Sequence, residues 1–243
     1  ALGVSARFVG RGRLPERPLG VYGELLPAHG VEFRSQGGLP LELSGKLKSG
    51  VYRMPGNVSS QFVTGLLFAL PLLKGDSEIV LTSPLESKGY VALTLSILRE
   101  YGVTAQETPQ GWHIPGGQRY TPHNCQVEGD WSQAAFFLPL DAILGDVSVA
   151  GLSLRSIQGD RVMGEILARC GHVPGQPPRP LAPFVADLGD CPDLGPILMT
   201  LGLFCRGESR LLNAGRLRLK ESDRGTAMAQ ELSKLGGQAS LAG

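Results

Sequence analysis

The apolar positions of this chain fall into stretches of two kinds that alternate along its length. The stretches that follow Ser60 and Gln133 are apolar nearly all round, which is typical of helices that are buried rather than half exposed. The second helix of each group is amphipathic instead, as where Met228, Leu232 and Leu235 recur at i, i+4 and i+7. The pattern predicts units in which an inner helix and an outer helix pack against a small sheet.

These units repeat along the chain with a regular spacing. In three segments one glycine follows the inner helix and a second glycine closes the outer helix. The two glycines are 27, 26 and 29 residues apart (Gly75 to Gly102, Gly145 to Gly171, Gly207 to Gly236). A glycine is favoured just after a helix because the residue there often takes a positive φ. Each unit is therefore interpreted as helix, strand, helix, and then one or two strands.

The repeat also predicts where the strands lie and where the chain divides. Strands are expected at residues 78–82, 147–150 and 210–212, with closing strands at 31–34, 111–114 and 182–186. A weaker partial copy at the start has a strand at 6–10 and a helix at 17–29. We expect an α/β fold with two lobes, residues 1–128 and 129–243, that meet at Glu128–Gly129.

Composition and charge narrow the classes of protein that remain. Apolar residues make up 42% of the 243 residues, charged residues 19%, and the net charge is +1, which is ordinary for a globular protein with a sizeable core. A non-specific nucleic-acid binder usually carries a basic excess, so no nucleic-acid partner is expected. No apolar run reaches the ~18 residues that a membrane helix needs, so no membrane partner is expected either.

Cysteine and histidine spacing argues against a disulfide framework and a metal centre. The four cysteines are scattered, with no C-x-x-C pair, and reduced cysteines in a cytoplasmic protein are the expectation. The four histidines have no ligand spacing with one another or with the cysteines, so no metal is expected. The first residues lack an initiator Met and a signal-peptide pattern, which favours a processed or excised chain. A plastid location remains open if a transit peptide was removed.

Two polar motifs stand where a predicted inner or outer helix begins. Ser59-Ser60-Gln61 offers two hydroxyls at a helix N-terminus, which suits a phosphate or another anion, although one serine serves equally well as an N-cap. Ser87-Lys88-Gly89-Tyr90 opens the next helix. There Ser87 is either a cap or part of a polar pocket that the Tyr90 hydroxyl extends.

A denser motif, Lys220-Glu221-Ser222-Asp223-Arg224, lies where a strand gives way to the last helix. It is either a solvated helix start, with Ser222 or Asp223 as the cap, or a loop that binds anions while Glu221 exchanges a proton. Asp130 and Asp193 head the second and third inner helices, and both are candidate N-caps. Either aspartate becomes a base only where its pocket partly desolvates it. Arg17 is a surface charge or a clamp on a carboxylate or phosphate.

Taken together, the motifs resemble those of the 5-enolpyruvylshikimate-3-phosphate synthase family. The stretches that carry the resemblance keep the family's order over essentially the whole chain: residues 13–18, 56–61, 87–90, 128–130, 192–193 and 217–224. The resemblance implies an enolpyruvyl transferase fold, an inside-out α/β barrel of two lobes built from βαβαββ units, with each lobe incomplete here. It implies transfer of the enolpyruvyl group of phosphoenolpyruvate to the 5-hydroxyl of shikimate 3-phosphate, with no metal and no cofactor.

The resemblance also implies roles for residues of the first lobe. Ser59 and Ser60 would hold the 3-phosphate, and Ser87 would contact the same group. Gln61 and Tyr90 would contact the shikimate ring.

Further roles are implied around the second substrate. Asp193 would bond the shikimate hydroxyls and act as the base, with Lys220 beside the attacking hydroxyl. Arg17 and Arg224 would clamp phosphoenolpyruvate, and Glu221 would protonate its methylene carbon.

The chain departs from the family pattern in ways that leave other readings open. The family's amino-terminal lysine and Gly-rich turn and its carboxy-terminal arginine and lysine have no counterpart here, and Arg216 stands where the family usually has Asn. We therefore expect weak substrate binding and negligible turnover by the chain alone, with the missing terminal segments as expected partners. The alternatives are a UDP-N-acetylglucosamine enolpyruvyl transferase and a non-catalytic half of a split enzyme.

Overall fold

The computed structural model describes residues 3–219 and 222–241, and its contacts divide the chain into two units. Unit 1 spans Ala1–Asn124 and unit 2 spans Cys125–Gly243. This division lies four residues before the boundary expected from the sequence, Glu128–Gly129.

The described residues of unit 1 form two sheets and three α-helices. Its elements in chain order are β1 Ala6–Phe8, α1 Gly20–Ala28, β2 Val31–Arg34, β3 Leu41–Gly45, β4 Val51–Met54, α2 Ser60–Ala69, β5 Ser77–Leu81, α3 Lys88–Glu100, β6 Gln106–Thr108 and β7 Gly111–Ile114, with short 3-10 helices at Leu14–Glu16 and Leu70–Leu72. The predicted helix at 17–29 begins three residues later than expected, and the predicted strand at 6–10 ends two residues earlier. The sequence pattern did not predict β3.

The second part of unit 1 forms a complete βαβαββ unit. Its sheet has the order β4-β5-β7-β6. Strands β4 and β5 are parallel and are joined through α2, whereas β7 runs antiparallel to both β5 and β6. Parallel neighbours need a crossover connection, and α2 supplies it by packing its apolar side chains on the sheet.

The first part of unit 1 reproduces only the later elements of that unit. Its sheet has the order β1-β3-β2, with both pairings antiparallel. Here β1, α1, β2 and β3 follow one another as β5, α3, β6 and β7 do, with the same pairing scheme. Strand β1 therefore stands where β5 stands in the complete unit.

The core of unit 1 is built from the inner helix and the sheet beneath it. Side chains of α2, among them Val63 and Leu67, are fully buried against Tyr52, Ile79 and Ile114 of the sheet. The sequence predicted that α2 is buried nearly all round, but one face of the helix is exposed. Its positions 61, 65 and 68, together with Leu72 just beyond its end, are exposed and form one face. The pattern shows that the helix is apolar but does not show which side lacks a neighbour.

Unit 2 is more helical and has one small sheet among its described residues. Its elements are α4 Trp131–Ala134, α5 Leu138–Leu144, α6 Val162–Arg169, β8 Val185–Asp187, α7 Gly195–Gly202, β9 Arg210–Leu212 and α8 Arg224–Lys234, with 3-10 helices at Gly159–Arg161, Pro192–Leu194 and Ala214–Leu219. Strands β8 and β9 are parallel and joined through α7. The order β8, α7, β9, α8 thus repeats β4, α2, β5, α3.

Two strand predictions in unit 2 are wrong. The closing strand expected at 182–186 is instead β8, which opens the last repeat because it pairs in parallel with β9. Residues 147–150 alternate between half-buried and exposed positions as a strand does, but they form no strand. Within the described part of unit 2 no strand pairs with them, and alternation without ladder hydrogen bonds does not make a strand.

The helix ends follow the glycine prediction, whereas one prediction about α8 is wrong. Gly102, Gly171 and Gly236 have φ values of 77°, 91° and 83°, which confirms their helix-closing role. Leu232 is buried, but Leu235 is 81% exposed. Helix α8 ends at Lys234, so Leu235 has left the helix and does not continue its apolar stripe.

One polar contact recurs in all three repeats and is here named the loop clamp. It joins the first residue of the inner helix, or the stretch just before that helix, to the stretch before the outer helix. Gly56 N donates to Ser83 Oγ at 3.0 Å, Trp131 N to Gln158 Oε1 at 2.9 Å, and Asn213 Nδ2 to Asp187 Oδ1 at 2.9 Å, with sequence separations of 27, 27 and 26 residues. The clamp therefore holds the starts of the two helices of each repeat at one edge of the unit.

The third clamp involves a charged group. The Asp187 carboxylate accepts from Asn213 Nδ2 through both oxygens, at 2.9 and 2.8 Å, and from Gly189 N at 2.8 Å. The hydrogen bonds from Asn213 and then Gly189 lower the pKa of Asp187 below its usual value. A carboxyl with a lowered folded pKa stabilises the fold above its unfolded pKa, and this contribution is lost as the pH falls through the folded pKa.

Removing the Asn213 amide should abolish most of this acid sensitivity. In Asn213→Gly the Asp187 pKa should rise toward the ordinary ~3.9, and stability should depend less on pH below that value. Glycine is chosen because Asn213 has a φ of 55°, which glycine adopts without strain. NMR titration of the Asp187 carboxyl measures the effect, and an unchanged titration midpoint would contradict the assignment.

The first clamp should also be sensitive to bulk at Gly56. A Cβ there would lie 2.8 Å from Ser83 O and 2.9 Å from Pro84 O, and both are backbone atoms that cannot turn aside. Gly56→Ala should lower the free energy of unfolding by about 1–3 kcal/mol, as measured by urea denaturation. Gly20→Ala is the control because nothing lies within 4 Å of its Cβ position. Equal stabilities of the two variants would count against the clamp geometry.

Candidate functional site

The candidate site of unit 1 lies at the carboxyl edge of β4 and β5. These strands are parallel neighbours, so the chain leaves both at the same edge of the sheet. Helix α2 begins after β4 and α3 begins after β5. Each helix N-terminus carries backbone N–H groups without helical partners and a partial positive charge. Two such N-termini at one edge favour an anion.

At the start of α2, Ser59 is the N-cap. It has extended backbone (φ −160°, ψ 131°), and its Oγ accepts from Gln61 N at 3.3 Å. The capping interpretation of Ser59 is therefore confirmed. Ser60 is the first residue of the helix and is buried, whereas Gln61 is exposed.

At the start of α3, Ser87 occupies the cap position with a left-handed backbone (φ 53°, ψ 48°). Its side chain makes no capping hydrogen bond, so the capping interpretation of Ser87 is wrong. A left-handed serine is strained by comparison with glycine or asparagine. Ser87 is buried, Lys88 is exposed, and Tyr90 is half buried, with its backbone N bonded to Ser87 O at 3.2 Å.

The contacts that join these two helix starts were not foreseen from the sequence. Ser83 Oγ accepts from Gly56 N at 3.0 Å and donates to Asn57 Oδ1 at 2.9 Å, and Glu86 N donates to Gly56 O at 3.1 Å. The close approach needs a residue without a Cβ at position 56. The signal was present, because Gly56-Asn57 and Ser83-Pro84 are turn-forming pairs that each follow a strand.

Arg17 lies on the segment that precedes α1. It directly follows the 3-10 turn Leu14–Glu16, has extended backbone, and is half buried. The helix expected at residues 17–29 begins only at Gly20, so Arg17 lies outside α1. The turn is held by Leu39 N, which donates to Pro15 O at 3.1 Å, and the backbone that carries Arg17 is therefore anchored.

In unit 2 the structure brings Asp193 and Arg224 together. Arg224 Nη1 donates to Asp193 Oδ1 at 2.7 Å, and both side chains are partly buried. Asp193 lies inside the 3-10 turn Pro192–Leu194, and the N-cap of α7 is Leu194. The prediction that Asp193 caps the inner helix is thus wrong, whereas Asp130 does cap α4 and accepts from Ser132 N at 2.8 Å.

The start of α8 is only partly described. Asp223 is the N-cap and accepts from Thr226 N at 3.0 Å, and hydrogen bonds from Thr226 lower the pKa of Asp223. Of the two caps proposed for this helix, Asp223 is therefore the one that the structure contains. The predicted catalytic residues Lys220 and Glu221 lie outside the described residues.

The helix N-termini and hydroxyls of unit 1 favour binding of an anion. Unit 1 presents hydroxyls and helix N-termini at one edge, and unit 2 presents a carboxylate held by a guanidinium. Over the residues 3–219 and 222–241, no three His, Cys, Asp or Glu side chains are grouped as metal ligands. Within the same residues no helix is long and apolar enough to span a membrane.

The sequence is similar to enolpyruvyl transferases over nearly its whole length. A sequence model of the family described as EPSP synthase (3-phosphoshikimate 1-carboxyvinyltransferase) matches residues 2–242. A protein named 3-phosphoshikimate 1-carboxyvinyltransferase from Clostridium kluyveri is 43% identical over 246 residues, which cover 98% of this chain and 58% of the relative. Another of that name from Clostridioides difficile is 43% identical and covers 95% of this chain and 55% of the relative. The chain thus spans little more than half the length of these relatives.

Solved structures show the same fold. An EPSP synthase from Acinetobacter baumannii has a TM-score of 0.71 at 23% identity, covering 96% of this chain and 57% of that chain. An enolpyruvyl transferase from Streptomyces tendae has a TM-score of 0.58 at 18% identity, covering 86% of this chain and 53% of that chain. The mixed α/β architecture is therefore that of the enolpyruvyl transferases, and because the family model matches residues 2–242, this chain belongs to the EPSP synthase family.

Proposed function

We propose that unit 1 binds shikimate 3-phosphate through its phosphate at the starts of α2 and α3. The observation that carries the proposal is that β4 and β5 are parallel and clamped together, which puts two helix N-termini with Ser59, Ser60 and Ser87 at one edge. Backbone N–H groups and hydroxyls satisfy phosphate oxygens, and the helix dipoles favour its charge. Gln61 and Tyr90 then contact the ring.

We further propose that the chain takes part in transferring the enolpyruvyl group of phosphoenolpyruvate to the 5-hydroxyl. Proton transfer from Glu221 to the methylene carbon makes C2 electrophilic, and the 5-hydroxyl oxygen attacks it while Asp193 accepts the hydroxyl proton. The resulting tetrahedral adduct loses phosphate and a proton from its methyl group, which restores the double bond in the product. The reaction needs one acid and one base in different surroundings.

Several cations fit roles in this reaction. Arg224 orients the Asp193 carboxylate through their 2.7 Å contact. A guanidinium also matches the geometry of a carboxylate or phosphate, so Arg224 and Arg17 are proposed to bind phosphoenolpyruvate. Lys220 is proposed to lie beside the attacking hydroxyl.

Loss of the Ser60 hydroxyl should weaken phosphate recognition. Ser60→Ala should raise the Kd for shikimate 3-phosphate about tenfold or more, because a hydrogen bond to a charged group is lost. NMR titration at millimolar ligand measures the affinity even when binding is weak. Ser132→Ala, at the second position of α4, is the matched control and should bind as the parent does.

A comparison of ligands tests the same proposal without a substitution in the protein. Shikimate 3-phosphate should raise the melting temperature more than shikimate or UDP-N-acetylglucosamine does. If shikimate binds as tightly as its phosphate, or if UDP-N-acetylglucosamine binds more tightly, unit 1 does not recognise the 3-phosphate.

Removing the proposed base should slow the reaction without weakening the fold. Asp193→Asn should lower kcat by about 10²–10⁴-fold, the range typical of general base catalysis. Phosphate release is measured for the chain alone and for the chain supplemented with the unmatched segments of the Clostridium kluyveri relative. Asp146→Asn is the control, since Asp146 is exposed and its positive φ suits Asn. Equal kcat values for Asp193→Asn and the parent would remove Asp193 from the mechanism.

A further inference from the structure

Unit 2 contains two cysteines that the proposed function does not use and that contact each other. Cys170 is the C-cap of α6, the outer helix of the second repeat, and Cys205 follows α7, the inner helix of the third. Both are thiols in the structure. The Cys170 thiol donates a hydrogen bond to the Cys205 sulfur, so the two sulfurs are in contact although the residues are 35 positions apart in the chain.

The backbone holds both cysteines through one short stretch of chain. Ala182 N donates to Cys170 O at 2.9 Å. Leu181 forms a parallel bridge with Cys205, and Arg206 N donates to Leu181 O at 2.8 Å beside that bridge. Because Leu181 and Ala182 are adjacent, they place the two cysteines side by side. The positions of the two thiols are thus set by backbone hydrogen bonds as well as by their own contact.

The two thiols differ in access and in surroundings. Cys170 is 1% exposed and belongs to the core of unit 2, whereas Cys205 is half buried and precedes the exposed Arg206. Ser209 donates a hydrogen bond to the Cys205 sulfur, while its own oxygen accepts from Phe184 N at 3.3 Å. Hydrogen bonds to a charged group favour its charged form. Cys205 is therefore the thiol that a reagent reaches first, and Cys170 is the second thiol behind it.

Burial governs how readily the two thiols ionise. It raises the pKa of Cys170 to about 11. It also raises the pKa of Cys205, against the opposing effect of the hydrogen bonds from Ser209 and Cys170. The thiolate is the reactive form of cysteine, so the pair reacts slowly at neutral pH and faster in mildly alkaline solution.

We propose that Cys170 and Cys205 form a reversible disulfide site, which is oxidised by exchange with a low-molecular-weight disulfide. The Cys205 thiolate attacks one sulfur of the reagent, whose S–S bond breaks and releases one thiol. The Cys170 thiolate then attacks the Cys205 sulfur and releases the second thiol. The two cysteines lose two electrons and two protons, and the two released thiols carry them away. The proposal rests on the contact between the cysteines and not on the proposed catalytic function.

The disulfide links two successive repeats of unit 2. It joins the end of α6 to the chain just after α7 and closes a loop that contains β8. A cross-link of this length restricts the unfolded chain more than the folded chain. Oxidation should therefore raise the melting temperature by about 5 °C or more.

The test uses the full chain with Cys125→Ser, which removes the exposed cysteine. After incubation with oxidised glutathione in mildly alkaline buffer, the intact mass should fall by two hydrogens, and a non-reducing digest should yield a peptide that joins Cys170 to Cys205. Cys170→Ala should stop at the mixed disulfide of Cys205 with glutathione. Cys191→Ala is the matched control, because Cys191 is also buried but lies outside the pair, and it should form the disulfide as the parent does.

Several outcomes would overturn the proposal. They are no reaction, a disulfide that joins other cysteines, a glutathione adduct that persists on Cys205 while Cys170 is present, and a disulfide that forms only in urea. Dithiothreitol should restore the original mass and melting temperature, and a change that it does not reverse would contradict a reversible site. If Cys170→Ala does not give a normal melting curve, Cys205→Ala decides instead. It should form neither the disulfide nor an adduct, because the thiols that remain are buried.

Discussion

The structure of each repeat depends on a hydrogen bond between two stretches of chain 26 or 27 residues apart. In unit 1 the bond joins Gly56 to Ser83, and in unit 2 the bonds join Trp131 to Gln158 and Asp187 to Asn213. The acceptor differs in each case, being a hydroxyl, an amide oxygen or a carboxylate, but the bond always links the region where the inner helix begins to the stretch before the outer helix. Backbone or side-chain polar groups at such loops need a partner when they are removed from water, and here each loop supplies the partner of the other.

This constraint explains why the candidate site of unit 1 exists. Parallel strands and crossover helices place the starts of α2 and α3 at the same edge, and the Gly56–Ser83 clamp brings the two loops into contact. The N-terminal N–H groups of both helices then lie at one edge of the sheet. The serines add hydroxyls to a site whose electrostatic character is already set by the backbone. The preference of the candidate site for an anion thus follows from the arrangement of strands and helices, whereas the side chains select the particular ligand.

Unit 1 contains one complete βαβαββ repeat and one partial repeat formed by β1, α1, β2 and β3. The difference between the two repeats explains the exposed apolar surface of unit 1. Both share the βαββ arrangement, but among the residues that the structure describes only β5 has a parallel neighbour on its second edge. Unpaired strand edges and exposed apolar faces are features that folded proteins usually pair or cover. The exposed face of α2 and the exposed Phe8 are therefore two sides of the same gap.

Much of the local structure could be predicted from the sequence because its causes are local. The closing glycines, the caps Ser59, Asp130 and Asp223, and strand β9 follow from residues within one or two turns. The motif residues of the candidate site were also recognisable in order along the chain. Their contacts were not, because the pairing of Ser83 with Gly56 and of Arg224 with Asp193 joins residues 27 and 31 positions apart.

The tertiary structure decided which elements and side chains contact one another, and local propensity does not determine this. Residues 147–150 have the alternation of a strand but no described neighbour, and residues 182–186 opened a repeat rather than closing one because β8 pairs with β9. Asp193, which looked like a cap, instead binds Arg224. The sequence by itself determined the repeat, the helix ends and the family resemblance, since these depend on short-range pattern. Packing between elements that are distant in the chain decides which face of α2 is exposed and which carboxylate contacts a guanidinium. Short-range sequence pattern does not predict such packing.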